Sequence, residues 1–465
     1  MHVGAVALFG AGPATGDQGV DIDLIRNLIE SRLDTIPRYR QRLATVPLEG
    51  HPVWVDDEFF HIDYHVRHIA LPHPGTEEQL KELAGRLMSQ QLDRSKPLWE
   101  LNVVEGLESG GFAVITKIHH CMIDGMSGID LMAVILDFTA QVEAAEPTPW
   151  TARPAPNGTE LAVREIARSV SSAVASLGHI SELREGLGDR IDGWKHRLEA
   201  SIASLGSGWL TPTGKTPLNG PIGPGRSFEW LELPLDGVKE IKDTHESSVN
   251  DAMLAIVAGG IRQYLLTDAG MSASELGAID FRIMAPVSVR TKSEQGTMGN
   301  KVAMWLITLP LAEPDPAKRI AKIKRATKEL KETDQALGAS TIVSVSMGAP
   351  ATLVSLAARL ASRARPFNMT VTNVPGPQFP LYMAGSQMQA TYPLVPLWQS
   401  HGLGIAMFSL NGAIDIGLNS DRYLVEDPAS VAKALHAAYD ELLQTPAPLS
   451  SGGEAAKKRP PMGTR

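Results

Sequence analysis

His119-His120-Cys121-Met122-Ile123-Asp124-Gly125 stands where two periodicities meet. Ahead of it, residues 111–118 (GFAVITKI) alternate apolar and polar side chains on a β-rich background. Behind it, residues 126–138 (MSGIDLMAVILDF) place apolar side chains at helical spacing. The pattern predicts a half-buried strand, a tight turn closed by Asp-Gly, and a buried helix. A corner of this kind can fix one imidazole in a cleft, where it takes a proton from a hydroxyl or an amine.

The 465 residues suffice for two or three ordinary domains or one large two-lobed unit. The chain is 43% hydrophobic and 20% charged, so it can bury a large core. A net charge of −9 argues against general nucleic-acid binding. One cysteine excludes an internal disulfide framework and fits a reducing compartment. Met1-His2-Val3-Gly4 has no basic n-region, and no apolar run reaches membrane-spanning length. The expected location is cytoplasmic, or peripheral on the inner membrane surface or on lipid inclusions.

Outward from the motif, residues 1–150 read as one α/β lobe. Residues 3–9 form a short apolar strand. Ile25, Leu28, Ile29 and Leu33 mark a helix that stops before Pro37. Thr76 with Gln79 forms a capping box ahead of Leu80, Leu83, Leu87 and Leu92. Residues 98–104 and 111–118 are strands. Pro147, Pro149, Pro154 and Pro156 mark a boundary, and residues 151–225 form a helical linker and a Pro/Gly-rich crossover. The linker carries one apolar stripe from Val163 to Leu205, which suits packing against the lobes or contact with a lipid surface. Residues 226–447 read as a second lobe. A helix there is capped by Ser248 with Asp251 at its third position. Strands are expected at 281–290, 302–309, 369–374, 403–410 and 413–418, and a charged helix at 317–337. The tail at 448–465 is polar and expected to be disordered.

With these motifs in view, the chain resembles the bacterial wax ester synthase/acyl-CoA:diacylglycerol acyltransferase family over nearly its whole length. The residues that carry the resemblance are HHCMIDG, Pro97-Leu98-Trp99-Glu100, Val249-Asn250-Asp251, Pro286-Val287-Ser288-Val289-Arg290 followed by Gly299-Asn300, and Asn373-Val374-Pro375-Gly376-Pro377. The resemblance implies an α/β (α+β) fold of two chloramphenicol acetyltransferase-like lobes, with a tunnel between them meeting at His120. It implies acyl-CoA as donor substrate, diacylglycerol or a long-chain alcohol as acceptor, and no cofactor. The family carries a further stretch ahead of the Met-His-Val-Gly that begins this sequence, which leaves the completeness of the first lobe open.

His120 is the expected base, because an alcohol attacks a thioester poorly unless its proton is removed in the transition state; a neutral imidazole contributes about 10²–10⁴-fold. The bland alternative is a hydrogen-bonded core histidine. His119 is expected to be structural, pointing to the opposite face of the strand end. Asp124 either orients His120, as a triad acid does, or holds the turn by a salt bridge to a buried arginine; the resemblance favours the second, with Arg290 as partner. Gly125 relieves crowding in the turn. Cys121 is a poor nucleophile candidate, since it follows His120 directly. Pro97, Leu98, Trp99, Asn250 and Asp251 read as scaffold or tunnel wall; Asn250 is a candidate hydrogen-bond donor to substrate, and the turn beginning at Asn373 shapes the tunnel. His61, His65 and His68 lie in a segment that alternates like a strand with His61, Asp63, His65 and Arg67 on one polar face, so no metal site is expected. Arg359, Arg363 and Arg365 make residues 350–365 a basic amphipathic stretch. It suits an anionic membrane or a CoA phosphate, or it is an ordinary helix with a solvated face. Two rival functions keep part of this reading: a condensation or polyketide-type O-acyltransferase of the same fold, and a non-catalytic lipid-droplet coat.

Overall fold

The computed structural model describes residues 2–16, 19–46, 52–123, 134–142, 147–156, 158, 160, 212–288, 302–332 and 365–447. The linker stripe from Val163 to Leu205, residues 350–364 with Arg359 and Arg363, and the tail at 448–465 lie outside them.

In the first lobe, β1 (His2–Phe9) precedes two small hairpins, β2–β3 (Thr15–Gly16, Gly19–Val20) and β4–β5 (Gln41–Thr45, Pro52–Asp56). Helix α1 (Ile22–Arg32) lies between the hairpins. It is capped by Asp21, whose carboxylate accepts Leu24 N–H, and it buries Ile25, Leu28 and Ile29. After a one-turn helix α2 (Ile62–His65) come β6 (Val66–Ala70), α3 (Glu77–Ser89), β7 (Trp99–Glu105) and β8 (Phe112–His119). The capping box of α3 forms as expected between Thr76 and Gln79. Segment 61–70 departs from the expected strand. Its first half is α2, and only Val66–Ala70 pairs, in parallel with β7. His65 is therefore buried against an aromatic cluster and shares no polar face with His61.

The second lobe runs from β9 (Arg226–Pro234) through α4 (Leu235–Thr244), α5 (Val249–Thr267) and α6 (Ala273–Gly277) to β10 (Arg282–Ser288) and β11 (Val302–Thr308). Then follow α7 (Pro316–Glu332), β12 (Met369–Val374), β13 (Tyr382–Met383), β14 (Ser386–Leu394), β15 (Leu403–Leu410), β16 (Ala413–Asp421) and α8 (Pro428–Leu443). Helix α5 is the core of this lobe, buried along most of its length. At Gly260 it meets α8 so closely that an added Cβ would fall 2.8 Å from Leu435 Cα.

Two six-stranded sheets result, ordered β13-β14-β1-β8-β7-β6 and β11-β10-β12-β15-β16-β9. The division at residue 226 is thus not a division in space. Strand β14, from the second half of the chain, pairs antiparallel with β1 in the first-lobe sheet. Strand β16 then packs against β14. Asp415 Oδ2 accepts Thr391 N–H (2.7 Å), Asn419 Nδ2 donates to Val395 O (2.9 Å), and a Cβ at Gly417 would sit 1.9 Å from Pro393 O. Trp230 of β9 stacks on Tyr392 of β14 at 4.9 Å. A continuous apolar cluster joins α3, β8, β9 and β14 across this seam. Among the described residues, no helix is long and apolar enough to cross a membrane.

Candidate active site

Strand β8 delivers the motif. It is packed on both faces, so the alternation in its sequence does not report one solvated side. Phe112, Val114 and Ile118 face the α1 core, while Ala113 and Ile115 face α3 and the seam. Lys117, on the latter face, is completely buried. Its ammonium lies 3.9 Å from Glu100, which Arg67 holds at 3.0 Å, and it has no hydrogen-bond partner among the described residues. Burial lowers the Lys117 pKa against the opposing pull of Glu100. Sequence reasoning missed this ion cluster because a lysine in an alternating strand reads as solvated.

The Pro97-Leu98-Trp99 stretch braces the end of β8. Leu98 O accepts His119 N–H at 2.9 Å. Trp99 is buried, donates from Nε1 to Tyr39 O (2.8 Å), and stacks on His65 at 4.6 Å. His65 Nδ1 lies 2.8 Å from Trp99 O, and burial pushes its pKa down to about 4. His61 instead lies near Asp63, and His68 near Glu105. Among the described residues, no group of three or more His, Cys, Asp or Glu side chains is placed to hold a metal ion.

His119 is half-buried, edge-on to His2 with ring centroids 5.9 Å apart. Its Nδ1 accepts Cys121 N–H at 3.3 Å and lies 3.0 Å from Cys121 Sγ. A nitrogen that accepts carries no proton, so the ring is the neutral Nε2–H tautomer. Desolvation, with Arg94 and His120 nearby, lowers its pKa. His120 begins a 3₁₀ turn (His120–Ile123), so the backbone has already left the strand at that residue. Simple strand alternation therefore does not set the direction of the two rings. His120 is exposed, and its imidazole has no hydrogen-bond partner among the described residues. Partial desolvation lowers its pKa, so the ring is neutral at pH 7 with a lone pair available. Desolvation raises the Cys121 pKa, which disfavours the thiolate a nucleophile would need.

Asp124, Gly125 and Arg290 lie outside the described residues. Asp251 is committed on both oxygens: Oδ2 accepts from Ser248 N (2.9 Å) and Oγ (2.7 Å), and Oδ1 accepts from Thr327 Oγ1 (2.7 Å). Its neighbour Asn250 is half-buried, as is Asn373 on β12. No hydrogen bond links either to His120 among the described residues. In the turn after Asn373, Gly376 N donates to Ser409 Oγ (3.0 Å), and a Cβ there would strike Ser409 O at 2.2 Å. Only glycine fits that close approach.

Comparison with known proteins agrees with this architecture. Residues 1–253 match the wax ester synthase/diacylglycerol acyltransferase catalytic domain, and residues 298–443 match the C-terminal domain of the same family. A Mycobacterium tuberculosis protein named probable diacylglycerol O-acyltransferase is 33% identical over 435 residues, covering 90% of this chain and 89% of the relative. The solved wax ester synthase/diacylglycerol acyltransferase from Marinobacter aquaeolei VT8 superposes with a TM-score of 0.63 at 24% identity, over 95% of this chain and 94% of that one. A starter condensation domain of rhizomide synthetase shares the fold, with a TM-score of 0.57 at 12% identity, over 97% of this chain and 92% of that one. The two-lobed α/β fold is shared with both solved structures, and the chain belongs to the wax ester synthase/diacylglycerol acyltransferase family and is an acyltransferase.

Proposed function

We propose that the protein transfers a long acyl chain from acyl-CoA to the hydroxyl of diacylglycerol or of a fatty alcohol, with His120 as general base. The observation that carries this reading is the His120 imidazole: exposed, without a partner among the described residues, and kept neutral by its surroundings. As the acceptor oxygen attacks the thioester carbonyl, His120 takes its proton, the O–C bond forms and the C–S bond breaks. The proton then passes from His120 to the departing CoA thiolate. Attack is direct, so no acyl-enzyme and no cofactor is needed. The names of the relatives support the acceptor class. Apolar acceptors reside in lipid, so the enzyme works peripherally on a membrane or lipid inclusion. The likeness to condensation domains is one of fold alone and does not favour that reading. Incubating the pure protein with labelled palmitoyl-CoA and either dioleoylglycerol or hexadecanol tests the proposal. Labelled triacylglycerol or wax ester is expected; free palmitate alone would contradict it.

A further inference from the structure

The end of β8 is bordered by cationic side chains that the proton-transfer chemistry does not use. Two segments are tied to it. Leu98 O accepts His119 N–H, which anchors the loop at 93–97, and Trp99 Nε1 bonds Tyr39 O, which anchors the 3₁₀ turn Pro37–Arg40. Each segment carries an exposed arginine, Arg94 and Arg38. Arg94 has no ion-pair partner among the described residues. Arg38 lies over the Trp54 ring at 4.5 Å, which orients its planar head while the residue stays exposed. Lys96 adds a third charge, 5.7 Å from the Tyr64 ring. The acid of the same loop, Asp93, is also exposed and is engaged by its own turn: its Oδ1 accepts from Ser95 N and from Ser95 Oγ, both at 2.8 Å. The fields of Arg38 and Arg94 reach the Cys121 thiol, and that of Arg94 also reaches His119. The chain as a whole carries −9, so any attraction for an anion here is local and not the pull of net charge.

We propose that Arg94 and Arg38 form a phosphate-binding rim beside the motif, and that its ligand is the phosphorylated nucleotide end of the acyl-CoA donor. The identity of the ligand rests on the acyl-CoA reading above. Guanidinium groups bind phosphate oxygens through paired N–H donors, which suits a ligand carrying several phosphates. Of the two proposed substrates only the donor is charged; diacylglycerol and fatty alcohols are neutral. The rim would capture the nucleotide, and the pantetheine arm would lead the thioester toward His120.

Calorimetric titration of the full chain with adenosine 3′,5′-bisphosphate tests the rim without turnover. Arg38→Gln/Arg94→Gln should weaken binding about 10-fold or more, and Arg38→Lys/Arg94→Lys should restore part of it. Cys121 is the sole cysteine and reports independently: bisphosphate should slow its alkylation, because an added anion disfavours the thiolate. In steady state, the Gln pair should raise KM for palmitoyl-CoA relative to KM for palmitoyl-N-acetylcysteamine by a similar factor. Equal bisphosphate affinity in a Gln pair with native circular dichroism would overturn the proposal. Equal affinity with reduced pelleting on phosphatidylglycerol vesicles would overturn it too, and assign the rim to lipid headgroups. Bisphosphate binding that weakens as expected, in a protein that turns over neither thioester, would leave the nucleotide site standing and sink the acyl-transfer reading instead.

Discussion

Asp415→Asn should stabilise the protein increasingly as pH rises. Asp415 lies on β16 at the seam between the sheets and is 1% exposed. One oxygen accepts Thr391 N–H, and the other has no hydrogen-bond partner among the described residues. Glu232 of β9 stands opposite it in the register, and the Tyr392 hydroxyl lies nearby. Burial pushes its pKa from an ordinary 3.8 up to about 7, with Glu232 adding to the rise and the Thr391 N–H opposing it. The sign follows from which state binds the proton. Between about pH 4 and 7 the unfolded chain ionises at this position while the folded one holds its proton, so stability falls as pH climbs. At about 1.4 kcal/mol per pH unit, the loss is about 1.6 kcal/mol at pH 5 and about 4 kcal/mol above pH 7. Asparagine keeps an acceptor for Thr391 N–H and does not titrate. Urea unfolding of both proteins at pH 5 and pH 8 should therefore show the advantage of the variant growing by about 2–3 kcal/mol. A stability difference that stays constant with pH would refute the argument.

Other consequences are equally direct. Gly417→Ala should destabilise the seam by about 1–3 kcal/mol, seen in the urea midpoint, because the new Cβ would overlap Pro393 O. Trp99→Phe should lower stability by a similar 1–3 kcal/mol through the unpaired Tyr39 carbonyl, and should impair turnover because Leu98–Trp99 brace His119. Asp124→Asn tests the expected pairing with Arg290: if the two form a desolvated ion pair, its loss should lower the melting temperature as well as turnover, at a cost of about 3–5 kcal/mol; lost activity at an unchanged melting temperature would point to an orienting role at His120.

The local features were the legible ones. The Thr76 and Ser248 caps, the strand ending at the motif and the apolar stripe of α1 are written in neighbouring residues, so periodicity and capping chemistry find them. Three features needed tertiary context. Residues 386–394 (SQMQATYPL) give no sign that their partner is β1, nearly four hundred residues earlier, because pairing partners leave no mark on a single strand. The segment with His61, His65 and His68 was misread because four residues of helix imitate alternation. Lys117 looked like a solvated strand position, and nothing in the strand at 413–418 marks Asp415 as buried; only the packing of a second layer buries them. At the site, the motif singled out His120, but its lowered pKa comes from partial desolvation by the surrounding fold, which the motif itself does not carry.

The central claim is that the His120 imidazole takes the acceptor proton. The most direct test is the pH dependence of kcat/KM for palmitoyl-CoA and dioleoylglycerol, measured for wild type and His120→Ala. With a pKa below the usual 6.5, the wild-type rate should hold level from about pH 7 to 8 and fall only on the acid side of 6.5. The variant should lose about 10²–10⁴-fold together with that acid limb, while its circular dichroism stays native. A folded His120→Ala protein with wild-type rates and an unchanged pH profile would show that another group is the base.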